Sequence, residues 1–291
     1  MSLSRRWFGA AGAALFAFGL ILPGAWISYK QQLGPIDLAA AREGSTIVVD
    51  RDGRLLRPFT LPDGRWRLPV TAKEVDPRYL AMLFGFEDER FYAHDGVDAR
   101  AMLRAAAQFV THGRIVSGGS TLTMQVARLI EPRDERSLSA KLRQIARAWQ
   151  IESVIGKSAI LDRYLTLAPF GGNIEGVRAA SLAWFGKEPR KLTIAEAALL
   201  VALPQSPEAR RPDRFNDAAR AARDRVLERV AARGIISAED AAQARHEAVP
   251  SVRRAFPMLA AHAAEEAVAA DPRARVLKLS IDARLQARLE E

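Results

Sequence analysis

No cysteine occurs among the 291 residues, which excludes disulfides and thiol chemistry while remaining compatible with any compartment. Histidine is nearly as scarce: four are present, scattered, with no His-Glu-x-x-His or other metal-ligand spacing. No Gly-Lys-Ser/Thr follows the turn at Gly118-Gly119, so that turn is not a Walker loop. Neither Ser-x-x-Lys nor Lys-Thr-Gly occurs, so a serine acyl-transfer centre of that pattern is missing too. There is no internal repeat.

What is present is a globular composition, 49% hydrophobic and 26% charged, at a length that can bury a core. Basic residues number 43 against 34 acidic ones, for a net charge of +9, with arginine far outnumbering lysine. Such a balance suits nucleic acid, an anionic membrane surface or a phosphorylated substrate, as well as plain solubility. The N-terminus bears on that choice. Trp7 to Tyr29 is 23 residues without a charge, preceded by Arg5-Arg6 and followed by Lys30. As a helix it reaches roughly 34 Å, enough for a hydrocarbon core of ~30 Å. Trp7, Trp26 and Tyr29 stand at its ends, where amphipathic rings favour the interface. A single-pass anchor is expected, with the N-terminus cytoplasmic and the rest outside the cytoplasm. That makes nucleic acid an unexpected partner. A cleaved signal peptide needs a shorter apolar core and a better site than Ala25-Trp26-Ile27. Ser4-Arg5-Arg6-Trp7-Phe8 has twin-arginine character but accompanies no cofactor motif.

After a polar stretch, Lys30 to Gly44, two short strands are expected at Thr46–Val49 and Arg54–Leu56, joined by the hairpin signal Asp52-Gly53. From Asp76 the apolar period becomes helical. Helices are expected near 77–90, 98–111, 120–130, 136–155, 158–167, 174–184, 193–202 and 215–233, with glycine and proline at the breaks. Ser237-Ala238-Glu239-Asp240 reads as a further helix cap. From Pro257 an alanine-rich helix leads to a strand at Arg275–Ser280. Glu290-Glu291 falls inside what reads as a new helix.

Two stretches carry chemistry. In Phe86-Glu87-Asp88-Glu89-Arg90-Phe91-Tyr92-Ala93-His94, a continuous helix would set Glu87, Phe91 and His94 on one face. The apolar run Ala81 to Phe86 then places Glu87 at the edge of a core, where partial desolvation makes a carboxylate a better base. Taken alone, the acidic triplet is also a solvated patch, and His94 a structural hydrogen-bonder. The second stretch, Gly118-Gly119-Ser120-Thr121 followed by Leu122 to Leu129, reads as turn, cap and helix. The glycines let a ligand approach the backbone, and the helix N-terminus favours an anion. The basic run Arg128, Arg133, Arg136, Lys141, Arg143 and Arg147 follows. Such cations suit a pyrophosphate, though a solvated basic helix reads the same way.

These residues resemble a known family. Glu87-Asp88-x-x-Phe91-x-x-His94-x-Gly96 and Gly118-Gly119-Ser120-Thr121-Leu122-Thr123-x-Gln125 are similar to the first two motifs of glycosyltransferase family 51. This family comprises the peptidoglycan glycosyltransferases of class A penicillin-binding proteins and monofunctional transglycosylases. The likeness continues through Lys157-x-x-Ile160-Leu161-Asp162-x-Tyr164-Leu165, Phe170-Gly171, Gly176-Val177-x-Ala179-Ala180 and Phe185-Gly186-Lys187. It ends with Leu192-Thr193-x-x-Glu196-Ala197-Ala198-x-Leu200 and Leu203-Pro204-Gln205-x-Pro207. Met124, Lys141-Leu142-Arg143-Gln144 and Ala168 to Asn173 resemble the 1C class of these proteins. Leu279-Ser280-Ile281-Asp282-x-Arg284-Leu285-Gln286 looks like the start of a transpeptidase domain that is otherwise absent from the sequence.

The resemblance implies a mainly α, lysozyme-like glycosyltransferase domain with a small β element, here joined to the N-terminal transmembrane helix. It divides the chain into an anchor at 1–30, a linker and β-hairpin at 31–69, the glycosyltransferase domain at 70–235, and a helical linker leading to the missing domain at 236–291. It implies polymerisation of lipid II at the outer face of the cell inner membrane, with the catalytic domain periplasmic. Glu87 would be the general base, with Phe91 and His94 beside it. Ser120, Thr121, Gln125, Arg128, Arg136, Lys141 and Gln144 would hold the substrate around its pyrophosphates. Ala105 to Val116 falls where the family's second lobe meets the bilayer, and its apolar residues serve equally as ordinary core. Partners would be lipid II, undecaprenyl-linked glycan, the membrane and other cell-wall synthesis proteins. No resident cofactor is implied, and a divalent metal at the pyrophosphate stays open. Two positions depart from the family pattern. Gln144 stands where the third motif usually supplies a second glutamate, and an amide carries no negative charge. Glu152 lies two turns further along, and Thr166 stands where many members have asparagine. Two other readings remain, a lysozyme-like glycan-cleaving enzyme and a catalytically weak lipid II-binding scaffold.

Overall fold

The computed structural model describes residues 28–29, 31–39, 43–112, 119–132 and 137–291. Three short strands come first, β1 (Ile47–Val49), β2 (Leu55–Pro58) and β3 (Trp66–Arg67). Five helices follow: α1 (Pro77–Glu87), α2 (Ala99–His112), α3 (Leu122–Ile130), α4 (Leu138–Val154) and α5 (Lys157–Leu167). After β4 (Ile174–Glu175) come α6 (Val177–Phe185), α7 (Ile194–Ala202), α8 (Asn216–Ala232), α9 (Ala238–His246) and α10 (Ala261–Ala270). β5 (Val276–Lys278) and α11 (Ala283–Glu290) complete the order. Before Leu38, where the larger of two compact units begins, one helical turn is closed by the Leu33 N–H on the Tyr29 carbonyl at 3.2 Å.

The fold is mainly α with a small β element, and the expected membrane-spanning helix is not found among the described residues. Among the described residues no helix is long and apolar enough to cross a membrane. The longest, α4 and α8, have 17 residues each, about 25 Å, and both carry several arginines. Of the stretch Trp7 to Tyr29 only Ser28 and Tyr29 are described. The expected anchor thus lies outside the described residues, and the single-pass topology, cytoplasmic N-terminus and periplasmic placement are corrected to the statement that no described helix can span a membrane.

The β element joins distant parts of the chain. β1 and β2 form the hairpin around Asp52-Gly53, with Val48 opposite Arg57 and a bulge between Val48 and Val49. On its other edge β1 pairs in parallel with β5, Val48 facing Leu277. The buried carboxylate of Asp50 fastens this corner. It accepts the backbone N–H groups of Asp52 and Arg54 at 2.8 Å each, and that of Ala283 at 3.0 Å. Burial pushes such a carboxyl up, but the three donors and Arg54 outweigh it and hold Asp50 below the ordinary aspartate range. Val48, Leu56, Ala264 and Ala283 form a small core under α10 and α11, with Phe59, Leu259, Val268, Leu277, Leu279 and Ile281 packed on it. A second, two-stranded pair sets β3 parallel to β4. Its cross-strand link is Arg67 Nε on Glu175 Oε2 at 2.7 Å.

The helical core is built around α7. Thr193 and Glu196 make a capping box at its start, and Ala195 and Ala197 to Ala202 are all buried. A helix apolar nearly all round belongs at the centre, and α1, α6, α8 and α9 pack against it. α3 lies between α4 and α5. The cap expected at Ser237 is present, accepting the Asp240 N–H at 2.9 Å. Two boundaries differ from the sequence pattern. Ile174–Glu175 is strand, with the helix starting at Val177. The first long helix stops at Glu87 rather than running to 90.

Candidate active site

α1 begins on Asp76, which accepts the Arg78 N–H at 2.9 Å, and buries Tyr79, Met82 and Leu83. It ends at Glu87 because Asp88 leaves the helix at φ −156°, ψ 75°. The Asp88 carboxylate has two partners that a helical continuation would deny it. Its Oδ2 accepts the backbone N–H of Leu122, the first residue of α3, at 2.9 Å. Its Oδ1 lies 2.9 Å from His94 Nε2, where the imidazole N–H donates. Phe91, in the short 3₁₀ turn Phe91–Ala93, is buried against Phe84 with the Lys157 ammonium 4.5 Å above its ring. The periodic face that joined Glu87, Phe91 and His94 is thus broken. Phe91 and His94 brace the corner from behind, and neither lines the cleft that Glu87 faces.

Thr121 is also internal. It caps α3 by accepting the Met124 N–H at 3.1 Å, while its hydroxyl donates to the Gly96 carbonyl at 2.5 Å. Gly96 has φ +84°, and a Cβ there would stand 2.8 Å from the Ala148 carbonyl oxygen. Only glycine permits this close approach.

Glu87 opens onto a cleft of about 260 Å³ lined by Phe86, Ser120, Met124, Gln125, Arg128, Gln144, Gln205 and Arg229. Two side-chain amides hold the half-buried carboxylate. Gln125 Nε2 donates to Oε2 at 2.9 Å, and Gln205 Nε2 to Oε1 at 2.7 Å. Behind it the hydroxyls of Tyr79 and Tyr164 are buried without a partner among the described residues. Burial, and then the Glu87 charge, push both well above the ordinary tyrosine range. One wall of the cleft is cationic. Lys141 Nζ donates to Ser120 Oγ at 2.6 Å, and burial together with the neighbouring Arg128 pulls the amine below the usual lysine range. On the other side Arg229 stacks on Phe86 with its guanidinium carbon 4.9 Å from the ring centroid. Burial, Arg233 and Arg104 disfavour its charge, which Glu87 and Glu89 partly offset. An anion bound here would relieve both cations.

A profile of the family described as Transglycosylase matches residues 52–231. The chain belongs to the transglycosylase family. Penicillin-binding protein 1C of Escherichia coli (strain K12) is 43% identical over 272 residues, which cover 94% of this chain and 35% of that protein. Penicillin-binding protein 1A of Pseudomonas aeruginosa is 34% identical over 189 residues, 65% of this chain and 23% of the relative. The chain therefore spans about a third or less of the length of these curated relatives. The crystal structure of penicillin-binding protein 1A from Haemophilus influenzae aligns with 84% of this chain and 28% of its own, at 18% identity and a TM-score of 0.40, a likeness too low to fix any detail. Membership supports peptidoglycan glycosyltransferase activity at the level of the family only.

Within this transglycosylase, Ser120, Gln125, Arg128 and Gln144 share the cleft with Glu87, and Lys141 reaches it through Ser120. Arg136 lies outside the described residues, as do Arg133 and the part of the stretch Ala105 to Val116 that follows α2. Arg143 and Arg147 are drawn away. Both pair with Glu131, at 3.2 and 2.6 Å, and together they overcome the upward push of burial on that carboxyl. Glu152 is no substitute for a second acidic group in the cleft, because it accepts from Thr123 at 2.7 Å and pairs with Lys157 at 2.5 Å. Thr166 is occupied with the Asp162 carbonyl at 2.8 Å. The motifs left three residues without a role: Gln205, Arg210 and Arg229. Gln205 stands inside a quoted motif, whereas Arg229 sits on α8 with no local signal beyond the helical period. Among the described residues no group of three or more His, Asp or Glu side chains is placed to hold a metal ion.

Proposed function

We propose that this chain polymerises lipid II into glycan strands. Glu87 removes the proton from the 4-hydroxyl of the acceptor's N-acetylglucosamine as that oxygen attacks the anomeric carbon of the growing chain's muramyl residue. The C–O bond to undecaprenyl pyrophosphate breaks, the configuration inverts, and the pyrophosphate leaves with its electron pair. The proton passes to the Glu87 carboxylate. Lys141, Arg128 and Arg229 offset the charge that grows on the leaving group, with Arg136 assigned to the same role by the motif alone. Ser120, Gln125 and Gln144 orient the substrate.

One observation carries this reading: a half-buried carboxylate and several cationic side chains share a single cleft. Cleavage of finished glycan requires a carboxylate but no pyrophosphate cradle, so the cations favour transfer over a lysozyme-like reaction. Gln144 favours a second reading, a lipid II-binding scaffold of wall synthesis with weak activity, because it leaves the cleft one carboxylate short of the family pattern.

The test is to incubate the protein with labelled lipid II and resolve the products by size. Long glycan strands are the expected result. Lipid II retained but unreacted would replace the proposal with the scaffold, and shortening of added glycan strands would replace it with hydrolysis.

A further inference from the structure

Glu87 is gripped from two elements. Gln125 comes from α3, inside the glycine-initiated motif; Gln205 ends the 3₁₀ turn Leu203–Gln205 that follows α7. The Gln205 amide is itself oriented. Arg210 Nη1 donates to the Ala202 carbonyl at 2.6 Å and to Gln205 Oε1 at 3.2 Å. A guanidinium has donors only, so it can face only the amide oxygen, and the NH2 group is left for Glu87. A flipped amide would set oxygen against carboxylate and NH2 against guanidinium, two repulsive contacts. Arg210 also senses the site. Burial and Arg225 disfavour its charge, while Glu87 favours it. The turn beneath is firm, since Leu203 and Pro204 are buried, whereas Gln205 itself is exposed.

We infer that Gln205, oriented by Arg210, is a positioning residue for Glu87. A carboxylate held by one amide can turn about its terminal bond; held by two, it cannot. Each oxygen keeps a further lone pair for a substrate hydroxyl, so the grip fixes the direction of proton acceptance without blocking it. Loss of such alignment slows a reaction without weakening binding. The inference rests on Glu87 being the general base.

Steady-state lipid II polymerisation by the full chain tests it, with Gln205→Leu, Gln205→Glu, Arg210→Met, the Gln205→Leu/Arg210→Met pair and Glu87→Gln compared. Gln205→Leu should lower kcat about tenfold, with KM within about twofold and thermal melting unchanged, as befits an exposed side chain. Gln205→Glu, which sets a like charge against Glu87, should lower kcat further. Arg210→Met should also lower kcat, and the pair should be no worse than Gln205→Leu alone, because both act through one amide. A wild-type kcat in Gln205→Leu, a change in KM alone, or losses that multiply in the pair would overturn the inference. If Arg210→Met melts early, the two Gln205 variants decide on their own. Should Glu87→Gln keep full activity, the base assignment itself fails. Should Glu87→Gln be inactive and Gln205→Leu normal, only the positioning role fails.

Discussion

Lys141 is the residue on which the cationic wall depends most. Its amine is held below the lysine range by burial and by Arg128, a cost that a bound pyrophosphate would remove. Lys141→Met should therefore lower kcat for lipid II polymerisation about 100-fold. Inorganic pyrophosphate should raise the melting temperature of the parent protein, and Lys141→Met should abolish that rise. A variant that melts normally and still responds to pyrophosphate would place the anion elsewhere in the cleft. Gln144 fits the same picture, since with Glu131 engaged by Arg143 and Arg147 the cleft has cations to spare without a second carboxylate. The family resemblance pointed to Glu87, Ser120, Gln125, Arg128 and Gln144, and the structure gathers them around one cleft, whereas Phe91 and His94 from the same motifs stand outside it. Arg229 was not legible, because its place in the cleft depends on how α8 packs against the core.

At the level of elements, the corner between α1 and α3 positions Glu87. Asp88 ties the end of one helix to the first N–H of the next and holds His94 at the same time. The period of the sequence favoured a longer helix through His94. The buried hydrogen bonds of Asp88 outweighed it, a tertiary preference that no local pattern announces. Asp88→Ala removes a buried carboxylate and leaves the Leu122 N–H and the imidazole unpaired, so it should cost about 3 kcal/mol of stability. Denaturant unfolding monitored by helix signal would measure the loss, and a cost within ~0.5 kcal/mol would mean that the corner holds without Asp88. The caps were the most legible elements. Thr121, Thr193 and Ser237 each accept an N–H where the sequence set a helix start, because capping is decided within four residues.

For the whole molecule, the unexpected feature is the return of the chain's far end to its first hairpin. The strand near 276 was legible from its short, mostly apolar run Val276-Leu277-Lys278-Leu279, but its pairing with β1 across the full domain was not. Parallel pairing is a matter of topology, not of neighbouring residues. Asp50 links this return to the hairpin through the Ala283 N–H. Because its carboxyl titrates below the ordinary range in the folded chain, its contribution is present above about pH 4 and lost as the pH falls through the folded value. Melting temperature should accordingly fall on acidification below about pH 4, and Asp50→Asn should melt lower at neutral pH with a shallower acid dependence. An unchanged acid limb in Asp50→Asn would assign that dependence to other carboxylates, with Asp76 the next in line, since it too is depressed and accepts the distant Leu192 N–H.

The central claim is that one carboxylate, Glu87, performs the proton transfer in a cleft whose remaining charge is cationic. The initial rate of lipid II consumption by Glu87→Gln, relative to the parent at equal folded concentration, tests it most directly. The substitution keeps the shape while removing the base, and its single amide oxygen accepts from only one of the two neighbouring amides. A fall of about 1,000-fold or more, with lipid II still bound, is the predicted result. A rate within tenfold of the parent's would contradict the claim and move the base to another group.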